Sequence, residues 1–389
     1  MDKRIHSIDF VRGLVMIIMA IDHVRDLMHV SSLSDDPTNL ATTTPFLFFT
    51  RFITHFCAPT FVFLSGTSAY LSFKKQLDIK ANQKFLLSRG LWLILLEYTI
   101  INFGIWFNIH FSIIMSQVIG AIGFSFILLA ALLRLAPKKI GIIGLIIVFG
   151  HDLVTQLPFA IENPVLRFIA SYLFASNLFQ VTPHFTFLIS YPIIPWLGIM
   201  LLGYASGLIF ELSPEKRKKL LFQIGISMLV LFTALRWIDI YGDGAKWSVQ
   251  KDAVFTFLSF INLSKYPPSL FYTLVTLGVM MLVLASVDSL KNKFVQIITV
   301  YGKVPLFYYL IHWYLVHITM IIVMFLQGFT WKEMDFGPFA FGRPKGISGV
   351  ELPMIYLIWL LIVIVLFPLC KWYGDYKMAH KENKWLRYL

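Results

Sequence analysis

The sequence is dominated by uninterrupted apolar runs of about twenty residues, the length at which a helix spans the hydrocarbon core of a bilayer. Inside lipid every backbone N–H and C=O must be satisfied within the protein, so such runs fold as helices or as closed barrels. These runs are continuous rather than ten-residue alternating segments, which excludes an outer-membrane barrel. With 58% hydrophobic and 14% charged residues among 389, a soluble enzyme is excluded too. An aromatic share of 16% with two cysteines fits neither a disordered chain nor a disulfide scaffold. The expected fold is an all-α polytopic helix bundle forming one membrane domain over 1–389. Ten spans are read: Phe10–Val30, Phe46–Phe73, Leu91–Phe111, Ile113–Leu135, Ile140–Leu157, Phe185–Phe210, Leu220–Ile240, Leu270–Val287, Phe294–Leu326 and Pro353–Pro368. The ninth is too long for one straight helix and holds Gly302 and Pro305, so a kink is expected there.

The net charge of +12 is scattered between the runs, a pattern that orients membrane helices rather than binding nucleic acid. One set of alternate connections carries Lys3, Arg4 and Arg12, the 74–89 cluster, Arg134 to Lys139, Lys216 to Lys219, Lys291 and Lys293, and the basic tail from Lys371. It holds roughly three times the basic residues of the other set, which places both termini inside. No small-residue cleavage site follows the N-terminal run, so the first span is read as retained. The outer connections at 31–45, 158–184, 241–268 and 327–352 are the longer ones, and recognition is expected on that face.

An ionisable group within a span costs several kcal/mol unless it is paired or wetted, so each is a candidate for function. Asp22, His23 and Arg25 lie in the first span, Arg51 and His55 in the second, Glu97 and His110 in the third. His151 and Asp152 follow in the fifth, Arg236 and Asp239 in the seventh, His312 and His317 in the ninth. Most fall in the outer half of their helices, as helices converging on a polar chamber would arrange them. Arg25, His110, Arg236 and Asp239 are near enough to span ends for snorkelling to account for them. Glu97 can equally be a polar clamp between helices, and His151–Asp152 the cap of the fifth.

Arg12, Met16, Met19 and His23 share one helical face, with Arg12 and His23 about 16 Å apart along the axis. A basic anchor at one headgroup level and an imidazole beyond the midplane suit a long molecule with an anionic end and a reactive end. His23 beside Asp22 can exchange a proton near pH 7. His312 and His317 are five residues apart and do not face one ion, and no HExxH, EF-type loop or Cys/His pair is present, so no metal is expected. Lys265 and Tyr266 in KYPPS are offered to a ligand, unless the motif is only a rigid re-entry turn. Lys303 in GKVP is an inner-side candidate for a phosphate.

At this point the residues resemble a family. SIDFVRGLVMIIMAIDH resembles the first-span signature of the heparan-alpha-glucosaminide N-acetyltransferase catalytic-domain family of membrane proteins, in its bacterial branch. The likeness continues through HFCAPTFVFLSGTSAYL, SQVIGAIG, YPIIPWLGIMLLGYASG, FLSFINLSKYPPSLFYTLVTLG and YGKVPLFYYLIHWYLVH. The spacing of Arg12 and His23 is also similar to that of transmembrane acyltransferases that O-acylate surface glycans. The resemblance implies a multi-pass protein of the cell inner membrane that transfers acetyl from cytosolic acetyl-CoA, a co-substrate, to a hydroxyl or amine of a glycan or sugar-like acceptor outside. Lysosomal members place a proposed catalytic histidine between the first two spans. This chain has SSLSDDPTNLATTTP there, with no histidine after His29, so His23 or His55 takes the role.

The sites that follow are His23, His55 and Asp22 for catalysis and Arg12 and Lys303 for the donor. Arg51, Lys265, Tyr266, His151, Asp152, His312 and His317 are read as facing the acceptor. Membrane lipid is the expected surroundings, and self-association is left open. The alternative is a proton-coupled transporter of a small solute, since buried His, Asp and Arg also build proton relays.

Overall fold

A computed structural model gives the fold and describes residues 5–156, 161–288, 290 and 292–388. Lys3, Arg4, Lys291 and Leu157, used in the charge and span readings, lie outside the described residues. The first run is helix α1 (His6–Met28), and it is buried on most sides, with Val11, Met16, Ala20, Val24 and Leu27 at its core. A helix apolar nearly all round belongs inside a bundle. Its Asp9, Asp22 and Arg25 are therefore enclosed by protein.

The second run breaks into α2 (Pro45–Thr54) and α3 (Cys57–Lys75). Thr44 caps α2 by accepting from the Leu47 N–H at 3.3 Å. Pro59 has no N–H to give the carbonyl four residues back. That carbonyl belongs to His55, and the Tyr272 hydroxyl donates to it instead at 2.7 Å. The proline thus loosens the chain where an imidazole enters the bundle.

The third run starts earlier and ends sooner than expected. It comprises α4 (Ile79–Leu96), a widened π-turn at Glu97–Ile101 and α5 (Asn102–Trp106). Phe107 then adopts a left-handed conformation, so His110 lies in an exposed loop and not in a span. The π-turn carries its own supports. Asn102 donates to the Glu97 carbonyl at 2.7 Å and accepts from the Met115 N–H at 2.7 Å.

The fourth and sixth expected runs are corrected at their starts. Ile113–Ser116 is strand β1 and only then does α6 (Val118–Leu132) begin. Helices α7 (Pro137–Gln156) and α8 (Pro164–Phe174) follow. Strands β2 (Asn177–Thr182) and β3 (Phe185–Ile189) precede α9 (Ile193–Ser206). The order is β1-β3-β2, with β1 parallel and β2 antiparallel to β3. The bundle is thus not purely helical. Short β-branched and aromatic stretches that adjoin a helical run read as part of it from sequence, and pairing across seventy residues decides otherwise.

The rest is α10 (Pro214–Ile238), α11 (Ala253–Ile261), α12 (Leu270–Val287), α13 (Lys293–Lys303), α14 (Pro305–Leu326) and α15 (Leu352–Ala379). The kink at Gly302 and Pro305 is present as the α13–α14 break. The last helix runs eleven residues past Pro368, where the expected span ended. Among the described residues seven helical stretches are long and apolar enough to cross a membrane: Pro45–Lys75, Ile79–Trp106, Ile193–Glu211, Pro214–Ile238, Leu270–Val287, Pro305–Leu326 and Leu352–Ala379. This is a multi-pass membrane protein. The other three expected runs are helical but carry charges (α1), are shorter (α6), or lie outside those seven (α7).

Two ends of the bundle are distinguishable. The start of α1, the end of α3, the start of α10 and Asp288 after α12 wall one pocket, on the face rich in basic residues. At the other end Arg343 is fully buried and donates to the His29 carbonyl at 2.7 Å, tying the 327–352 connection to the end of α1. Arg236, expected to snorkel, is also fully buried. It donates to the carbonyls of Phe260 and Ala245 at 3.0 and 2.8 Å and pairs with Asp239 at 3.0 Å, clamping α11 and its flanks. Helices α1 and α13 touch backbone to backbone because Gly13 and Gly302 lack side chains. A Cβ at Gly302 would lie 1.8 Å from the Asp9 carbonyl oxygen.

Candidate functional site

The break before α14 and the course of α1 bring two histidines together that are 289 residues apart. His23 Nδ1 lies 2.6 Å from His312 Nε2. His312 Nδ1 lies 2.6 Å from the carbonyl oxygen of Tyr309, one helical turn back. A carbonyl only accepts, so that nitrogen of His312 carries the proton. A neutral His312 then offers Nε2 as an acceptor, His23 donates through Nδ1, and the lone pair on His23 Nε2 is left for chemistry. The His23 ring stacks on Trp313, centroids 3.8 Å apart and planes 21° off parallel. His312 is fully buried whereas His23 is only partly so. Two contacts from α14 therefore fix the imidazole.

Asp22 sits beside this pair. Its two oxygens are shared between Arg25, at 2.7 Å, and Arg51 of α2. Arg25 also reaches Asp26 at 2.5 Å. Lys265 and Tyr266 arrive from the connection before α12. Asp243 holds that turn, accepting from the Ser264 N–H at 2.9 Å and from the hydroxyls of Ser264 and Ser269 at 2.6 Å each. Lys265, Arg51 and Asp22 all lie close enough to His23 and to His55 to act on them electrostatically. His55 is buried, leans on Tyr272 with ring centroids 5.4 Å apart, and its Nδ1 has no hydrogen-bond partner among the described residues. Asp22, His23, Arg51, His55, Lys265, Tyr266 and His312 thus form one cluster.

The other expected residues fall elsewhere. His151 lies 3.3 Å from Asp152, which accepts from the Leu270 N–H at 3.0 Å, so this pair caps α12. His317 is buried and stacked on Phe107, centroids 3.8 Å apart and planes 4° from parallel. The contacts given for them among the described residues do not reach the His23 cluster. Lys303 closes α13 and is not part of the basic pocket wall. Trp313 and Tyr309, within YGKVPLFYYLIHW, and Tyr191, within YPIIPW and 5.4 Å from the Tyr266 ring, join the cluster without a spacing signal in the sequence.

Arg12 opens a second region. It donates to the Leu64 carbonyl at 2.9 Å and to the Ser68 hydroxyl. It lines a pocket of about 760 Å³ on the basic face together with His6, Lys74, Lys75 and Arg217. The neighbouring Asp288 is already engaged by Arg217 at 2.5 Å and by Ser7 at 2.8 Å. Deeper along α1, Met16, Ser65, Arg89, Val118, Ile122 and Tyr309 line a cavity of about 90 Å³. Arg89 is near enough to Arg12 for the two cations to repel. The cavity has room for a few waters or a narrow chain, and Tyr309 joins its wall to His312 and so to His23.

Among curated proteins none matches the chain. A family model does, over residues 4–239: heparan-alpha-glucosaminide N-acetyltransferase, catalytic. The match takes in Arg12, Asp22, His23, Arg51, His55 and Arg89 and ends before Lys265, His312 and Trp313. On this match, which covers more than half of its length, the chain belongs to the heparan-alpha-glucosaminide N-acetyltransferase catalytic family.

Proposed function

We propose that the protein is an integral-membrane acyltransferase that moves an acyl group, acetyl in the first instance, from cytosolic acyl-CoA to a hydroxyl or amine of a sugar-like acceptor on the outer side. Ten crossings with both termini inside are part of this reading, and the distribution of basic residues supports it. The observation that carries it is the His23–His312 pair, with a basic pocket around Arg12 and a small cavity lined by Met16 and Tyr309 on the same two helices. The pocket suits the phosphates of coenzyme A, with Arg12, Lys74, Lys75 and Arg217 in its wall. The cavity beneath suits a thin acyl-bearing arm.

In the step, His23 Nε2 removes the proton from the acceptor hydroxyl or amine as it attacks the thioester carbonyl. The new C–O or C–N bond forms, the tetrahedral centre collapses, the C–S bond breaks, and the thiolate leaves with the proton returned by His23. His312 and Trp313 keep His23 in the required tautomer and plane. A test uses the purified protein in nanodiscs with labelled acetyl-CoA and a panel of amino sugars and hexoses, with products read by mass spectrometry. Transfer by the wild type and its loss by a thousandfold or so in His23→Ala are expected, roughly the scale of removing a general base. Unchanged turnover in His23→Ala removes that residue from the mechanism. Buried ion pairs around Asp22 also suit a proton-coupled carrier; solute uptake into vesicles without thioester consumption would favour that reading.

A further inference from the structure

The charges around His23 do not balance, and the imbalance names a property of the acceptor. Three cations, Arg25, Arg51 and Lys265, face two carboxylates, Asp22 and Asp26. Arg25 and Arg51 consume both. Among the described residues no carboxylate lies within 4.0 Å of Lys265 Nζ; its side-chain hydrogen bond is to Tyr266, a phenol, whose ring centroid is 5.0 Å away. Lys265 is 9% exposed, so it has not swung out to water as a free lysine does. Its turn is pinned by Asp243.

A second observation points the same way. Arg25 is 2% exposed, and its Nη1 is buried with no hydrogen-bond partner among the described residues. Arg25 has its two carboxylates, but Lys265 has none, and a buried cation without an anion is costly in a low-dielectric setting unless a ligand completes the set. The cluster is also open: Tyr266 is 40% exposed, Arg51 keeps 15% of its side chain accessible and His23 is only partly buried.

We propose that the acceptor carries an anionic group, a carboxylate or phosphate, that pairs with Lys265 and Arg51 and so presents a neighbouring hydroxyl or amine to His23. This rests on the acyl-transfer reading for its role but not for its test, which reads binding. Glucose, glucose 6-phosphate, glucuronate and inorganic phosphate serve as probes, with thermal shift and calorimetry on the full-length protein in neutral detergent. Glucose 6-phosphate and glucuronate should bind about tenfold tighter than glucose. Lys265→Met should erase the difference and Lys265→Arg should keep it.

Equal affinity for charged and neutral sugars overturns the proposal, as does a preference that survives in Lys265→Met. Inorganic phosphate binding as tightly as glucose 6-phosphate would mean an adventitious anion only. If nanodiscs with anionic lipid abolish sugar binding where neutral-lipid discs retain it, the site holds a lipid headgroup, which also overturns it. Anion-dependent sugar binding without any consumption of acetyl-CoA would instead sink the transfer reading and leave this one standing.

Discussion

A histidine in a membrane helix is ambiguous until both of its nitrogens are assigned. For His312 the Tyr309 carbonyl makes the assignment, and the donor role passes to His23 Nδ1. From the sequence alone His23 was reachable, because Arg12, Met16, Met19 and His23 share a face. Its partner was not, since helical spacing says nothing about a residue 289 positions away. Spacing also could not separate His312 from His317, which the fold sends to an aromatic stack. Glu97 shows the same limit in reverse. Its carboxylate accepts from the Gln117 N–H at 2.5 Å and faces the backbone of Gly120, capping α6. The clamp reading therefore has a definite form. Glu97→Ala should lose that cap, costing about 1–2 kcal/mol, and lower the unfolding temperature in detergent. Glu97→Gln, which keeps an acceptor oxygen, should lie closer to the wild type. An unchanged transition in Glu97→Ala would show that the contact does not stabilise the bundle.

At the scale of elements, prolines were the most legible signals. Pro305 gives the α13–α14 break as expected, and Pro59 frees the carbonyl of His55 for Tyr272. Pro368 is the counterexample, since α15 continues through it. Neighbouring helices in a membrane bundle can hold such a turn together. The sheet was invisible because β1 and β3 each run into a helix without a turn signal strong enough to mark a change of period. Helix contact is more exacting than helix formation. Gly302 against Asp9 and Gly13 against Ile298 leave no room for a methyl group. Gly302→Ala should displace α13 from α1 and cost about 1–3 kcal/mol as an overpacked site. Gly150→Ala, whose added Cβ meets nothing within 4 Å, is the matched control. Equal unfolding temperatures for the two variants would refute the close-approach argument.

For the whole molecule the question is which face looks inward, because that decides the direction of transfer. The bundle has a basic end, with Arg12, Lys74, Lys75 and Arg217 around one pocket, and an opposite end built from long connections, α11 and the three-stranded sheet. Basic residues are retained on the cytoplasmic side during insertion, so the proposed orientation turns the first end to the cytosol and the second to the outside. Thiol labelling tests this directly. Cys57 and Cys370 are both buried, so a membrane-impermeant maleimide reads introduced cysteines above a low background. Lys75 is exposed at the basic end and His184 is exposed at the tip between β2 and β3. In intact cells His184→Cys should label, whereas Lys75→Cys should label only after the membrane is opened. The reverse pattern would put the basic pocket outside, where acyl-CoA is not supplied, and the donor would have to be sought at the sheet end instead.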